Sequence, residues 1–302
     1  MNKTQKNLRN SYFINNFTSK LIILSTIICV ILSTIFNDFY LNILAFSGIL
    51  TFGIIHGAND LLLIKGVSKN YNFKLQLLYY VIMVGGFFLF FYNIPILALM
   101  TFVLLSSYHF GEHQWTLFGK TEHYLIKPFY FFYGLIIFSL IFYFNLEEVA
   151  DVIYDITTVQ LSQNFFLYLL ISSFILSIII SLFIYNKIKN QFITQFILLI
   201  LLILTFKTCS LIWSFAIYFV FWHSIPSIKE QTIFIFGKAE KESIKNYFKK
   251  AFLYWILSIV VLLLTYYLLR DNQDKLISIF FSFLAAITFP HTFVVSKIKK
   301  PS

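Results

Sequence analysis

Apolar runs follow one another along almost the whole chain, and short polar stretches separate them. Most runs approach the length of about 20 residues that a helix needs to cross the roughly 30 Å hydrocarbon core of a bilayer. Ten runs stand out, at residues 20–36, 40–64, 75–92, 95–113, 128–144, 163–185, 192–206, 209–226, 251–269 and 276–295. The pattern predicts an all-α, polytopic integral membrane helical bundle with about ten transmembrane helices, in a range from eight to ten. Two short runs, 192–206 and 209–226, predict tilted or partly re-entrant segments.

Composition indicates the same class of protein. Of the 302 residues, 59% are hydrophobic and 12% are charged, and the mean hydropathy is +0.80, so a soluble domain of this length would lack a sufficiently polar surface. We therefore expect a single integral membrane domain over residues 1–302, with an N-terminal tail at 1–19 and a basic loop at 227–250. Cys29 and Cys209 both lie in apolar runs, so we expect no disulfide framework.

The net charge of +10 carries information about topology. When the ten runs alternate in direction, all of the 23 Lys and Arg residues fall on one side except Lys207, Arg270 and Lys275. Because basic loops stay in the cytoplasm, this distribution predicts a multi-pass protein of the cell inner (plasma) membrane with both termini cytoplasmic. It also accounts for the charge without a nucleic-acid partner, and the lipid bilayer is the expected surrounding.

Five of the six histidines lie late in even-numbered runs. They are His56 in the second run, His109 and His113 in the fourth, His223 in the eighth and His291 in the tenth. Even-numbered runs all pass from outside to inside, so we expect these side chains at similar depth near the cytoplasmic face. Intramembrane ionisable residues are rare and mark functional sites. The sixth, His123, lies in the polar loop 116–127 and is expected to be solvated.

The chemistry of this set favours a bound metal. Neutral imidazoles bind Zn, Cu, Fe or Ni, although membrane proton relays also use histidine without a metal. No cysteine is near in sequence, which disfavours a structural zinc site. A shell made only of histidines leaves coordination positions open for a substrate such as O₂. The residues therefore predict a histidine-bound transition metal that acts on a hydrophobic molecule, and they do not specify the reaction.

Polar neighbours accompany the histidines. Asp60 follows His56 by four residues, so the two share a helix face and the carboxylate can orient the imidazole. Glu112 follows His109 by three residues, and His113 follows it by four. His113 is therefore an alternative metal ligand or a neighbour of the ligands. No side chain is assigned as a general acid or base.

Prolines flank two of the histidines. Pro226 comes three residues after His223 and predicts a kink there, because proline disfavours a regular helix before it. Pro290 directly precedes His291, frees a carbonyl one turn earlier and can aim the imidazole inward.

Four short runs carry these polar residues in order along the chain. They are GIIHGANDLLL at 53–63, YHFGEHQW at 108–115, FWHSIPS at 221–227 and PHTFVV at 290–295. Together they resemble the motifs of the Brp/Blh family of membrane β-carotene 15,15′-dioxygenases. The resemblance implies a non-haem Fe(II) enzyme that cleaves β-carotene at its central double bond with O₂. The product would be two molecules of all-trans-retinal, which a microbial rhodopsin can use as chromophore.

The resemblance also implies a ligand set. Carried over by motif, His56, His109 and His223 are iron ligands. In much of the family a second histidine closes the third motif, whereas this chain has Ser227 there. We expect His291 to complete the shell, with His113 as the alternative and a shell of three histidines plus water also open. Three polar residues are expected beside the ligands: Asp60, Glu112 and Ser227.

Three other functions remain open from the sequence. A membrane haem or electron-transfer protein would pair histidines on facing helices. A histidine-using transporter or proton channel would place polar groups near the bilayer midplane, often within internal repeats, and no repeat is visible. A di-iron oxygenase of the desaturase kind needs more histidines than the six in this chain.

Overall fold

The computed structural model describes residues 3–68, 71–268 and 276–298, and within them all regular structure is helical. This confirms the all-α prediction. The described residues form ten helices: α1 Lys3–Ile35, α2 Asp38–Val67, α3 Phe73–Asn93, α4 Pro95–Thr116, α5 Ile126–Phe144, α6 Leu146–Thr157, α7 Gln163–Thr208, α8 Leu211–Phe236, α9 Lys241–Leu268 and α10 Leu276–Ile298.

Seven of the described helices are long and apolar enough to cross a membrane: α2, α3, α5, α7, α8, α9 and α10. The segment Ser19–Ile35 of α1 is a shorter apolar helix. The number of crossings, about ten in the sequence analysis, remains a prediction.

Helix α7 joins two of the predicted runs. The runs 163–185 and 192–206 form one helix of 46 residues, because the polar stretch between them contains neither proline nor glycine. Lys187 and Lys189 stay exposed, while Ile184 and Ile188 continue the buried face through this stretch. At 1.5 Å per residue the helix is about 69 Å long, which is more than twice the thickness of a bilayer core.

Three further segments differ from the sequence expectation. The stretch between the fifth and sixth runs, which belongs to none of the predicted helices, forms the short helix α6. The basic loop expected at 227–250 is helical up to Phe236, where Gly237 ends α8 with a φ of 81°, and helical again from Lys241. The predicted tail at 1–19 is helical from Lys3 onwards. Apart from Gly237, none of the three segments contains a proline or a glycine that would interrupt a helix.

Two of the histidine-bearing helices contain a π-helical stretch, at Ile49–Gly53 in α2 and at Ile217–Ser224 in α8. Stretches of this kind recur at functional sites. In α8 the stretch ends beside Pro226, which lacks the N–H that a regular helix would use. The Ser224 hydroxyl donates to the Phe219 carbonyl at 2.8 Å, five residues earlier. The winding of the helix is therefore irregular at His223, where the sequence predicted a kink, and the helix continues through Pro226 to Phe236.

Helices α4 and α5 pack at close range through two glycines. A Cβ at Gly111 would overlap the carbonyl of Tyr130, and a Cβ at Gly134 would overlap the carbonyl of Ser107. Small residues at such crossings let helix backbones approach. This contact fixes the end of α4 that carries two of the histidines.

Candidate metal centre

Four buried histidines from four helices converge on one point. They are His56 of α2, His109 of α4, His223 of α8 and His291 of α10. Their ring centroids form a closed circuit, with separations of 4.6 Å for His56–His291, 5.6 Å for His291–His109, 4.8 Å for His109–His223 and 5.0 Å for His223–His56. The structure thus brings together residues that are up to 235 positions apart in sequence, from 56 to 291.

Three of the four can bind one ion together. His56, His223 and His291 each offer a ring nitrogen, and these atoms all lie within 4.8 Å of one another. Metal–imidazole bonds of about 2.0–2.1 Å place two bound nitrogens at most about 4.2 Å apart, so small ring movements are sufficient.

Unsatisfied nitrogens at this point fit a metal. Nδ1 of His56, Nδ1 of His223 and Nε2 of His291 are buried and have no hydrogen-bond partner among the described residues. Buried polar atoms without a partner destabilise a fold and are uncommon. A metal ion at the centre of the circuit would satisfy all three lone pairs at once.

A carboxylate orients one of the imidazoles. Asp60 Oδ1 lies 2.8 Å from His291 Nδ1, and the Tyr80 hydroxyl donates to Asp60 Oδ2 at 3.0 Å. With the proton of His291 on Nδ1, its Nε2 presents a lone pair toward the other histidines. Tyr80 had no sequence signal, because it is one of many aromatic residues on an apolar helix.

Asp60 was expected to contact His56, and it contacts His291 instead. The reason is a break in α2 at Asn59, whose φ of −97° and ψ of 13° leave the regular helical range. The spacing of four residues therefore no longer places the two side chains on one face. The same break leaves the Asn59 side chain buried, where it donates to the Tyr247 carbonyl at 3.0 Å.

The other sequence-predicted residues lie around the circuit. The His113 ring is 4.7 Å from the His223 ring, and His113 Nε2 lies 3.5 Å from Glu230 Oε2. Glu112, expected beside His109, accepts a hydrogen bond from the Tyr108 hydroxyl at 2.8 Å. Glu230 lies in the stretch that the sequence predicted to be a basic loop, and it was not predicted as a site residue.

Ser227 belongs to a buried polar network next to His56. Its hydroxyl accepts from Gln231 Nε2 at 2.9 Å. The Tyr247 hydroxyl donates to Gln231 Oε1 at 2.7 Å and lies 3.2 Å from the His56 carbonyl. The network connects α8 and α9 to α2. Gln231 and Tyr247 were not predicted from the sequence as residues near the site.

His123 stands apart from the circuit. Its Nδ1 accepts a hydrogen bond from the Leu125 backbone N–H at 3.2 Å, next to the start of α5. The side chain is half-buried. It serves as a local cap and as a reference for substitutions of the clustered histidines.

An apolar cavity of about 930 Å³, here called the slot, adjoins the histidines. His56, Asp60 and His291 line one part of it, and Asp155 and Ser278 line another. Because Ser278 and His291 are 13 residues apart on α10, about 20 Å at 1.5 Å per residue, the two groups lie at opposite ends. Along α3 the lining runs from residue 77 to residue 92, which is about 22 Å at 1.5 Å per residue. The slot has the shape and polarity for an elongated hydrophobic molecule.

The slot opens between α3 and α9. Val81 of α3 and Leu257 of α9 both line it, yet they are 58% and 59% exposed. In a bilayer these positions face lipid, so a lipid-soluble molecule can enter sideways without crossing water.

Comparison with known families gives one match. The family model described as beta-carotene 15,15′-dioxygenase matches residues 47–299, which is most of the chain and includes all four converging histidines. No curated protein and no solved structure matches.

Proposed function

The chain belongs to the β-carotene 15,15′-dioxygenase family, and on that premise we propose that it cleaves β-carotene at the central double bond with O₂. The proposed products are two molecules of all-trans-retinal, and a microbial rhodopsin is the proposed acceptor. The observation that supports the proposal most directly is the histidine circuit with its unsatisfied nitrogens at one end of an apolar slot.

Fe(II) is the proposed cofactor, held by His56, His109, His223 and His291. Imidazole suits iron among other transition metals, and the family's chemistry selects it. Bound Fe(II) would supply the activation of O₂. We place His113 outside this shell because its Nε2 faces Glu230.

The chain's own residues bind, orient and exclude water. Asp60 fixes the ring orientation of His291 through Nδ1. The slot holds the polyene beside the histidines and keeps water away, which is the general role of a protein around a reactive cofactor. Both oxygen atoms of O₂ end in the two aldehydes, so the balance requires no net proton transfer, and we assign no general acid or base.

We also propose a location in the inner membrane, with both termini and the metal site on the cytoplasmic side. The distribution of Lys and Arg supports this orientation. The seven described helices that are long and apolar enough to cross a membrane support the membrane location.

A haem site is less consistent with the geometry. Two imidazoles that bind haem iron stand on opposite faces of the porphyrin plane. Such a site uses two imidazoles, whereas four converge in this circuit, with neighbouring ring centroids 4.6–5.6 Å apart.

Pigment analysis tests the proposal. Expression in a β-carotene-producing bacterium should reduce the carotenoid colour and give retinal on chromatography of a pigment extract. A His123→Ala variant should retain this activity because His123 lies outside the circuit. Unchanged β-carotene in cells that contain well-expressed, iron-loaded protein would refute the proposal, as would a strong Soret band in the purified protein.

A further inference from the structure

A polar approach reaches the histidine circuit outside the slot. Neither His113 nor Glu230 belongs to the lining of the slot. The side chain of Glu230 is 47% exposed, whereas that of His113 is only 3% exposed, and their Oε2 and Nε2 atoms are 3.5 Å apart. The His113 ring is in turn 4.7 Å from the His223 ring. Surface carboxylate, buried imidazole and buried site histidine therefore follow one another inward.

The order of these groups suits the passage of a metal ion. A divalent cation loses its water when it enters a buried site, and each lost oxygen must be replaced by another donor. The slot offers mainly apolar side chains, so an ion inside it would remain poorly solvated. Carboxylate and imidazole are both ligands of divalent transition metals, and an exposed carboxylate also raises the local concentration of cations.

We propose that Glu230 and His113 form a metal inlet, through which the ion passes from the aqueous face to the histidine circuit. The inference rests on the metal site of the proposed function. Glu230 is the outer receiving group, and His113 is the transfer group next to His223. Neither needs to remain bound to the ion once it has reached the centre.

Lys229 precedes Glu230 in α8, and the charges of the two side chains attract each other. A cation that approaches Glu230 is repelled by the ammonium group, so Lys229 should slow loading. Substitution of Glu230 should therefore lower the rate of metal loading, and substitution of the neighbouring Lys229 should raise it.

Metal uptake by the metal-free full-length protein in detergent tests the inlet. Co(II) is the probe, because its visible absorption changes on binding, and a rapid-mixing experiment gives the rate of loading separately from the final amount bound. Glu230→Gln should reduce the loading rate about three- to tenfold and leave the final Co(II) content unchanged. Lys229→Gln should increase the rate.

A surface carboxylate provides the matched control. Glu240 is exposed, lies beyond the end of α8 and pairs with Lys238 at 2.6 Å, so Glu240→Gln removes the same charge outside the Glu230–His113 pair and should load at the parental rate. His113→Gln should slow loading at least as much as Glu230→Gln, because it removes the inner group.

Four outcomes would overturn the inlet. An unchanged loading rate in Glu230→Gln would do so, and so would equal slowing in the Glu240→Gln control. A reduced final Co(II) content at an unchanged rate would mean that Glu230 belongs to the binding site rather than to a path toward it. If the parental protein binds no Co(II), the metal site of the proposed function fails first and the inlet fails with it.

Discussion

The histidine circuit is approached by two regions of opposite character. The slot is long, apolar and open between α3 and α9. Only 11% of the most apolar stretch of α3 is buried, and only 6% of that of α9. The inlet consists of two polar side chains, Glu230 of α8 and His113 of α4, and 89% of the most apolar stretch of α8 is buried. In the proposed function the carotenoid enters from the bilayer through an apolar path, whereas the free energy of an ion rises in such a path unless donors replace its water. Separate approaches allow one buried site to receive both.

Removal of a histidine of the circuit should have the largest effect, because both the slot and the inlet lead to the circuit. We expect His223→Ala to lose most bound metal and at least about a hundredfold in retinal formation. Metal analysis of the purified protein and retinal chromatography measure the two losses. Full metal content and activity in His223→Ala would show that the circuit is not the metal site, and His123→Ala serves as the control.

The Asp60 carboxylate should matter for the metal more than for the substrate, although it also lines the slot. Asp60→Asn weakens the hold on His291 Nδ1 and is expected to reduce metal affinity about 10- to 100-fold. Tyr80→Phe removes only the outer hydrogen bond and should have a smaller effect. Competition with a chelator measures both affinities. A change in the KM for β-carotene at unchanged affinity would assign Asp60 to the slot instead.

Filling the slot should separate substrate binding from metal binding. Gly85 lines the slot, whereas the adjacent Gly86 does not, and neither has a heavy atom within 4 Å of an added Cβ. Gly85→Leu should reduce kcat/KM for β-carotene about tenfold with unchanged metal content, and Gly86→Leu should change neither. Equal losses in both variants would indicate a general effect on α3 and would contradict the slot as the substrate site.

The smallest expected effect concerns α6, which forms the far end of the slot through Asp155. Burial raises the pKa of Glu148 above its ordinary value of 4.5, and Asp38 adds to the rise. The ionised form is therefore disfavoured in the folded state, so this group reduces stability as the pH rises through 4.5 and the folded pKa. Below 4.5 the penalty is absent.

Glu148→Gln should therefore raise the unfolding temperature at pH 7, and only by about 1 °C, because the side chain is partly exposed to solvent. Glutamine retains an acceptor for the Leu211 N–H. The difference from the parental protein should vanish below pH 4.5. The neighbouring Glu147→Gln is the control, and a larger effect there would contradict the assignment.

The sequence predicted the all-helical class and the four histidines that the structure brings together. The histidines could be found because each lies late in an apolar run, where ionisable residues are rare and mark functional sites. The contact of Asp60 with His291 could not be predicted. It follows from the break at Asn59, whose side chain binds the distant Tyr247 carbonyl. The continuous α7 was missed because a few polar residues on an exposed face resemble a turn when only hydropathy is read.

The π-helical stretches have a consequence for how the metal site tolerates insertions and deletions. Each residue of a regular helix advances the side-chain direction by about 100°, and a π turn contains one residue more than an α turn. Loss of a single residue within Ile49–Gly53 would restore the regular winding and change the rotational phase of His56 relative to the helix before it. The directions in which His56 and His223 point thus depend on the number of residues in the π-helical stretches as well as on which residues are present.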